Sequence, residues 1–441
     1  MKKIFTLAFA LSAFVAQAQF TVNNLAVLKI TSPTAIGNVG IAYSTSIVEY
    51  TTAGVLTGKN VLLTGGTPNF VVEERSIAHE GQLNLSTDGR YLTAVGYNSP
   101  LGGAAATIRA ADKRVARIDG NINVDLSTSV KTLNSFGGVG VRSAITEDGT
   151  TYLVNSSAAG APHGVRLLNH GADTSTSYTL SQYRALGRFG GVVYGSSLNS
   201  TKMFSHDAAG VPTEMTFGPL RAGTEYAQFI FLDADANIPG VDLLYIADRN
   251  AGIRKLFLNG ITWQPVSDSS GLHNPAFGGT SGFFGLTGRI EGGKPTLYGV
   301  KINVVGGVYT SSHLVKIVDN AARNADWDLA ANNVPTSTQL DSTDNKQQLK
   351  GVCFTPRRPT AVSTIAEKSN QLIIKPTLAD NVITVVLDET KVTPLSIFNI
   401  AGQQVLQDKG QGEHLLNVST LPAGLYLVRT GMGAIGKFIK Q

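Results

Sequence analysis

The sequence predicts an all-β protein, a large β-propeller of six blades over residues 19–355 followed by a small C-terminal β-sandwich. Three observations predict it. Apolar runs of four to eight residues, rich in Val, Ile, Leu, Tyr and Phe and bounded by Gly, Asn, Asp or Ser, recur from residue 19 to 355; such runs are strands joined by turns. The chain of 441 residues carries 48 glycines and only 15% charged residues, against roughly 7% Gly and 25% charge in an average globular protein. That balance suits many tight turns and few long amphipathic helices. Finally, a strand, a Gly-containing turn and a second strand repeat along the chain, a sign of a circular array.

At the N-terminus, Lys2 and Lys3 precede the apolar run Ile4 to Val15 and then Ala16-Gln17-Ala18. A charged start, a short apolar core and small residues at a cleavage site read as a signal peptide over residues 1–18. No later stretch approaches the roughly 20 apolar residues of a membrane-spanning helix. Export of a chain without a transmembrane segment, beginning at Gln19, is the expectation.

Strands follow at Leu25 to Ile30, Ser46 to Tyr50 and Asn60 to Thr64. The clearest hairpin is Gln82 to Arg90 with its Asp88-Gly89 turn, then Tyr91 to Tyr97; Arg142 to Gly149 and Thr151 to Val154 repeat it. Looser copies run from Tyr183 to Tyr194, Gln228 to Ala247 and Phe283 to Tyr298. Steps of 60, 41, 45 and 55 residues between hairpin starts leave room for about four short strands, the content of one blade. Arg114 to Asp119 and Leu314 to Val318 supply outer strands. Leu349 to Phe354 is an inner strand with no partner after it, and the three N-terminal strands lack an inner one before them. Joining them makes a sixth blade and removes two sheet edges. A pair of sandwiches or a solenoid is the alternative topology. Only a short turn near Asn320 to Asp328 reads as helical.

Thr355-Pro356-Arg357-Arg358-Pro359 opens a linker over residues 356–369. Beyond it, residues 370–441 alternate as six short strands, from Val382 to Leu387, Pro394 to Asn399, Gln404 to Gln407, His414 to Val418, Gly424 to Arg429 and Gly436 to Lys440.

Several kinds of chemistry are disfavoured. The net charge of +5 includes Lys2 and Lys3, leaving +3 after cleavage, with no basic cluster interleaved with aromatics; this is not a nucleic-acid binder. Cys353, the single cysteine, excludes an internal disulfide and sits in Val352-Cys353-Phe354 as a buried, inert thiol. There is no Gly-x-Ser-x-Gly, His-Glu-x-x-His, phosphate loop or Cys-x-x-Cys motif. His79-Glu80, just before an inner strand, offers an acid and a base at a channel mouth; a solvated loop pair explains it equally. Asp233, Asp235 and Asn237, with Asp242 beyond, place oxygen atoms at alternate positions as Ca²⁺ would require. They lack the sixth-position glycine and the distal glutamate, so an acidic turn is the preferred reading and no cofactor is expected. Aligning Leu85, Ile145, Leu186, Phe231, Leu286 and Cys353 puts Gln82, Arg142, Tyr183, Gln228, Phe283 and Lys350 at the starts of the inner strands. Converging at one channel mouth, they would suit an anionic or sugar-like ligand.

The C-terminal residues resemble the type A sorting domain of the type IX secretion system of Bacteroidetes-type bacteria. Leu395 to Val405, with Gly402 in its turn, resembles one family segment, and Leu416 to Val428, with Leu421-Pro422-Ala423-Gly424-Leu425-Tyr426, the most recognisable one. Gly436 to Lys440 resembles the basic, apolar last strand. Where the family opens on a Tyr-Pro-Asn-Pro-like segment, this chain has Ile374-Lys375-Pro376-Thr377 and keeps the proline at Pro376 alone. The resemblance implies passage through the periplasm to the outer surface or the medium, with the secretion machinery as partner. For the larger domain the expected function is binding of a glycan or a surface protein. An extracellular carbohydrate-active hydrolase or lyase is the alternative.

Overall fold

Short strands punctuated by glycine turns fold as antiparallel sheets, because each strand is too brief to bury a face except against its neighbours. A computed structural model describes residues 19–37, 40–74, 80–131, 135–197, 202–217, 225–249, 252–266, 282–305, 308–325, 335–358, 372–387, 392–400, 402–430 and 434–441. Residues 1–18, expected as a signal peptide, His79 and most of the expected linker lie outside the described residues. The chain divides into two compact units at Pro359 and Thr360.

The first unit is all-β and propeller-like, built of antiparallel sheets that each follow a path of four strands. Sheet one joins the two ends of the unit: Gln347–Phe354 is its inner strand, followed by Leu25–Thr31, Ile41–Tyr50 and Leu56–Leu62. Sheet two runs Asn84–Leu85, Tyr91–Tyr97, Lys113–Asp119 and Val124–Asp125. Sheet three contains Val141–Ile145, Thr151–Ser156, Val165–Asn169 and Thr176–Thr179. Sheet four contains Tyr183–Phe189, Val192–Ser197, Met203–His206 and Pro212–Met215. Sheet five contains Tyr226–Leu232, Leu243–Asp248, Gly252–Asn259 and Thr262–Pro265. Sheet six contains Phe283–Glu291, Lys294–Val305, Val308–Val318 and Thr336–Ser342.

Alternation along these strands sends apolar side chains into the spaces between sheets. Tyr97, Val115, Val141 and Tyr152 share one such core, Leu244, Leu256, Phe229 and Phe231 another. Each fully buried side chain of this size contributes about 1.5–3 kcal/mol. The inner strands pack side by side in chain order, and Gln347–Phe354 also contacts Asn84–Leu85.

The α-helix among the described residues, Ala105–Ala110, was not expected from the sequence. Six residues are too few for a helical apolar period to show, and Ile108 alone is buried. The helix carries Arg109 to within hydrogen-bonding reach of Glu73.

The second unit encloses its own core between two sheets. Ile373–Lys375, Val382–Val386 and Glu413–Asn417 form one. Leu378–Ala379, Ile435–Lys440, Gly424–Thr430, Thr393–Asn399 and Gln404–Gly410 form the other. Ile383, Val385, Leu395, Ile397, Leu416, Val428 and Phe438 meet between them.

Candidate functional site

Antiparallel pairing breaks near the start of five inner strands. Register shifts fall between Val141 and Ser143, Tyr183 and Ala185, Tyr226 and Phe229, and Phe283 and Gly285, and opposite Val27 to Lys29 in sheet one. A bulge inserts a residue and re-aims its side chain. The inserted residues are Arg142, Arg184 and Phe284, with Gln228 and Lys350 in the irregular stretches of sheets five and one.

Of the six residues expected at this mouth, Gln82, Arg142, Gln228 and Lys350 reach across to other inner strands. Gln82 Nε2 donates to the carbonyl of Arg184 at 2.8 Å, and Arg142 Nη1 to that of Tyr183 at 2.9 Å. Gln228 Nε2 donates to Leu83 O at 3.0 Å while its Oε1 accepts from Leu286 N at 3.1 Å, tying sheets five, two and six together. Lys350 Nζ lies 5.0 Å from the centroid of the Phe284 ring. Tyr183 and Phe283 are placed differently. Tyr183 OH is 2.8 Å from His206 Nε2 within its own sheet, and the Phe283 ring covers Gly299. Two large residues stand side by side at each of these positions, and only the bulge decides that Arg184 and Phe284 are inserted. All six expected residues are buried.

Charge gathers at this end. Arg184 Nη2 lies 3.1 Å from Glu225 Oε2, which Arg249 also contacts. Burial, then the neighbouring Arg249, pulls the Arg184 guanidinium down to about 9, and burial brings Arg142 to about 10. Glu80, 6% exposed, accepts from Tyr97 OH at 2.6 Å and from the backbone N–H of Glu73 at 3.2 Å. Burial, and after it the charge of Glu73, pushes Glu80 up to about 8. Arg109 clamps Glu73 with two bonds of 2.6 and 2.7 Å. Burial takes Lys113 down to about 8, and its Nζ donates to the carbonyl of Ala111 at 2.9 Å. Nothing in the sequence marks Tyr97, Arg109 and Lys113 as partners of Glu80, because three separate segments bring them together.

Further along the same strands lies a cup of about 390 Å³. Leu85, Ile145, Leu186, Phe229, Leu286 and Cys353 wall it, and Asn84, Ser86, Thr87, Thr146 and Thr287 add amide and hydroxyl groups. Five of the six residues aligned from the sequence appear here, but Phe229 stands where Phe231 was expected. Phe231 lies two residues further along the same face and packs in the core against Tyr194, with centroids 4.4 Å apart. Burial drives the Cys353 thiol well above its usual range, so it stays protonated.

The acidic turn of sheet five uses its oxygen atoms internally. Asp235 Oδ1 accepts from Asn237 N at 3.0 Å and Asn237 Nδ2 at 2.9 Å, while Asp242 Oδ1 accepts from Ala234 N at 2.7 Å. Asp233 is exposed. Among the described residues no group of three or more His, Cys, Asp or Glu side chains is placed to hold a metal ion.

In the second unit, Gly402 has a φ of 77° and its N–H donates to Asn399 O at 3.0 Å, closing the turn after Thr393–Asn399. Leu421 is buried, and Tyr426 OH donates to Pro422 O at 2.8 Å, locking the Leu-Pro-Ala-Gly turn while its ring stacks on Phe438 at 5.5 Å. Tyr426→Ala removes both contacts, and about 3 kcal/mol is a typical loss for an aromatic core truncation. In whole cells, the variant is expected to accumulate in the periplasm while its surface signal falls, read by fractionation and immunoblot.

No helix among the described residues is long and apolar enough to cross a membrane. No curated protein matches the sequence. Solved structures resemble it loosely. A streptogramin B lyase shares 13% identity, covering 62% of this chain and 89% of the lyase, with a TM-score of 0.35. The extracellular domain of a hybrid two-component system from B. thetaiotaomicron shares 8%, over 90% of this chain and 60% of that one, at 0.32. The β-propeller domain of Cps50 (Swd1) from Myceliophteria thermophila shares 8%, over 81% and 95%, at 0.33. None is near enough to bear on activity. The second unit is different: residues 376–441 match the secretion system C-terminal sorting domain family, so this chain carries a type IX sorting tail and is exported through the periplasm to the outer cell surface or beyond.

Proposed function

We propose that the first unit is a closed six-bladed β-propeller and that, once exported, it binds a neutral glycan in its axial cup. The cyclic packing of the inner strands, with Gln347–Phe354 paired to Leu25–Thr31, supports the closed ring. The cup itself carries the functional reading. At about 390 Å³ it falls in the size range of small-ligand sites, and it sets apolar walls against the hydroxyl and amide groups of Thr87, Thr146, Thr287 and Asn84. That pairing suits a sugar, which offers C–H faces and hydroxyls together.

Hydrolysis or elimination on a glycan requires an acid and a base at the bond being broken. The described lining of the cup includes Arg188, whose guanidinium pairs with Glu147 at 3.1 Å, but no Asp, Glu, His or Lys, which favours binding over turnover. A glycan array probed with the chain from Gln19 is expected to show selective retention without product release. Leu286→Trp, which adds bulk to the cup from its buried wall, is expected to weaken that retention about tenfold, equivalent to about 1.4 kcal/mol, and to lower thermal stability by about 1–3 kcal/mol, the cost of an overpacked core position. Product release from a bound glycan would reverse the assignment.

A further inference from the structure

A second aromatic surface lies where the outermost strands of sheets four and five end, separated from the cup by Phe231, which packs on the cup-lining Phe189 and Phe229. Thr216, Phe217, Thr262, Trp263, Gln264 and Pro265 line an open cleft of about 430 Å³ there. Trp263 is half-buried, and its ring meets Phe231 in a T-shaped contact at 5.3 Å and 75°. Phe231 in turn packs on Tyr194 and Phe189, at 4.4 and 5.2 Å. The indole is thus held at one edge by a rigid aromatic stack while the rest borders the cleft.

Polar residues on the opposite face of the same hairpin are also fixed. Asn259 Nδ2 donates to Gln264 Oε1 at 3.3 Å, and Thr262 Oγ1 donates to Asn259 O at 3.1 Å. Ile261, 97% exposed, stands in the turn next to Thr262.

We propose that this cleft is a second glycan-contact site, independent of the axial cup, which takes a pyranose ring whose substituents are mainly equatorial. Such a ring has a flat C–H face that stacks on an indole, and its in-plane hydroxyls reach Thr216. Aromatic rings of this kind supply large contact area at little entropic cost, since they have few rotatable bonds and are already pinned. Two sites on one exported chain would hold an extended polysaccharide with an avidity neither provides alone.

The test uses the full chain from Gln19 with ¹⁵N-labelled tryptophan and cellotetraose as the probe, added to millimolar concentration. The chain has two tryptophans, so the indole N–H signal of Trp263 is assigned by its loss in Trp263→Phe, which keeps a ring against Phe231. The expected result is a saturable shift of the Trp263 signal, retained in the cup-filled Leu286→Trp variant and weakened about tenfold in Thr216→Ala. A Trp263 signal unmoved by cellotetraose overturns the proposal, whether or not the cup binds a sugar. A shift lost in Leu286→Trp also overturns it, because the cleft would then only report on the cup. Binding to the cup alone overturns the cleft and leaves the axial site standing, so the two fail separately.

Discussion

Replacing Gly351 with alanine is expected to destabilise the first unit by about 3–5 kcal/mol, in the range reserved for severe core lesions. A Cβ there would stand 2.2 Å from Leu83 N and 2.8 Å from both Gln82 C and Gly81 O. All three are backbone atoms of the segment that opens sheet two, so no side chain can swing aside to make room. Gly351 N also donates to Gly81 O at 2.9 Å, and pushing the strands apart breaks that bond. It further strains the Gln82 bond to Arg184 and the Gln228 bond to Leu83 O, whose loss leaves buried groups unpaired at about 1–3 kcal/mol each. The comparison is Gly102→Ala, where φ is +74° but nothing lies within 4 Å of the added carbon; about 1 kcal/mol is expected for that backbone penalty. Urea unfolding midpoints at constant slope measure both. A Gly351→Ala variant no less stable than Gly102→Ala would show that the two ends of the unit do not meet at this close approach.

The second large effect belongs to Glu80 and appears as a pH dependence. Its value in the folded state is about 8, against 4.5 for the ordinary carboxyl, so the fold binds its proton more tightly than the unfolded chain does. The resulting stabilisation is complete below about pH 4.5 and is lost as the pH rises to about 8. Glu73, Tyr97, Arg109 and Lys350 all act on the group, and burial rather than any one of them dominates. Glu80→Gln keeps the shape of the neutral acid without its proton equilibrium. Between pH 5.5 and 8.5 the wild-type chain is expected to lose about 2–4 kcal/mol relative to the variant, so the variant becomes the more stable of the two at alkaline pH. Lys113, lowered to about 8 from 10.5, titrates with the opposite sense. Its stabilisation is present above about pH 10.5 and lost as the pH falls towards 8, outside most of that window. The lowered values of His206 and His313 remove stability on the acid side in both proteins, and the difference between the proteins cancels them. Parallel pH profiles for the two proteins would refute the assignment.

Local pattern carried much of the architecture. Period-two alternation and glycine turns are properties of neighbouring residues, so the hairpins at Tyr91–Tyr97, Thr151–Ser156 and Phe283–Glu291 are legible in the order of residues alone. The same holds for the strands of the C-terminal unit, where Leu421, Pro422, Gly424 and Tyr426 also announce the export address. The pairing of Gln347–Phe354 with Leu25–Thr31 follows from two incomplete sheets, a deficit that can be read from the order of strands.

Features that depend on one extra residue were not legible. A bulge leaves the composition of a strand unchanged yet redirects the side chains beyond it, so Arg184 and Phe284 replaced Tyr183 and Phe283 at the converging starts; Phe229 lines the cup because it comes two residues earlier on the same face as Phe231. The short helix that delivers Arg109 to Glu73 was likewise invisible, since its six residues carry one buried side chain. The sequence alone determined the all-β class, the repeat and the sorting tail, because each is written in local periodicity or a contiguous motif. Only the tertiary structure decided which side chains meet between the inner strands, how deeply Glu80 is buried and where Trp263 stands, because those follow from register and packing between segments up to hundreds of residues apart.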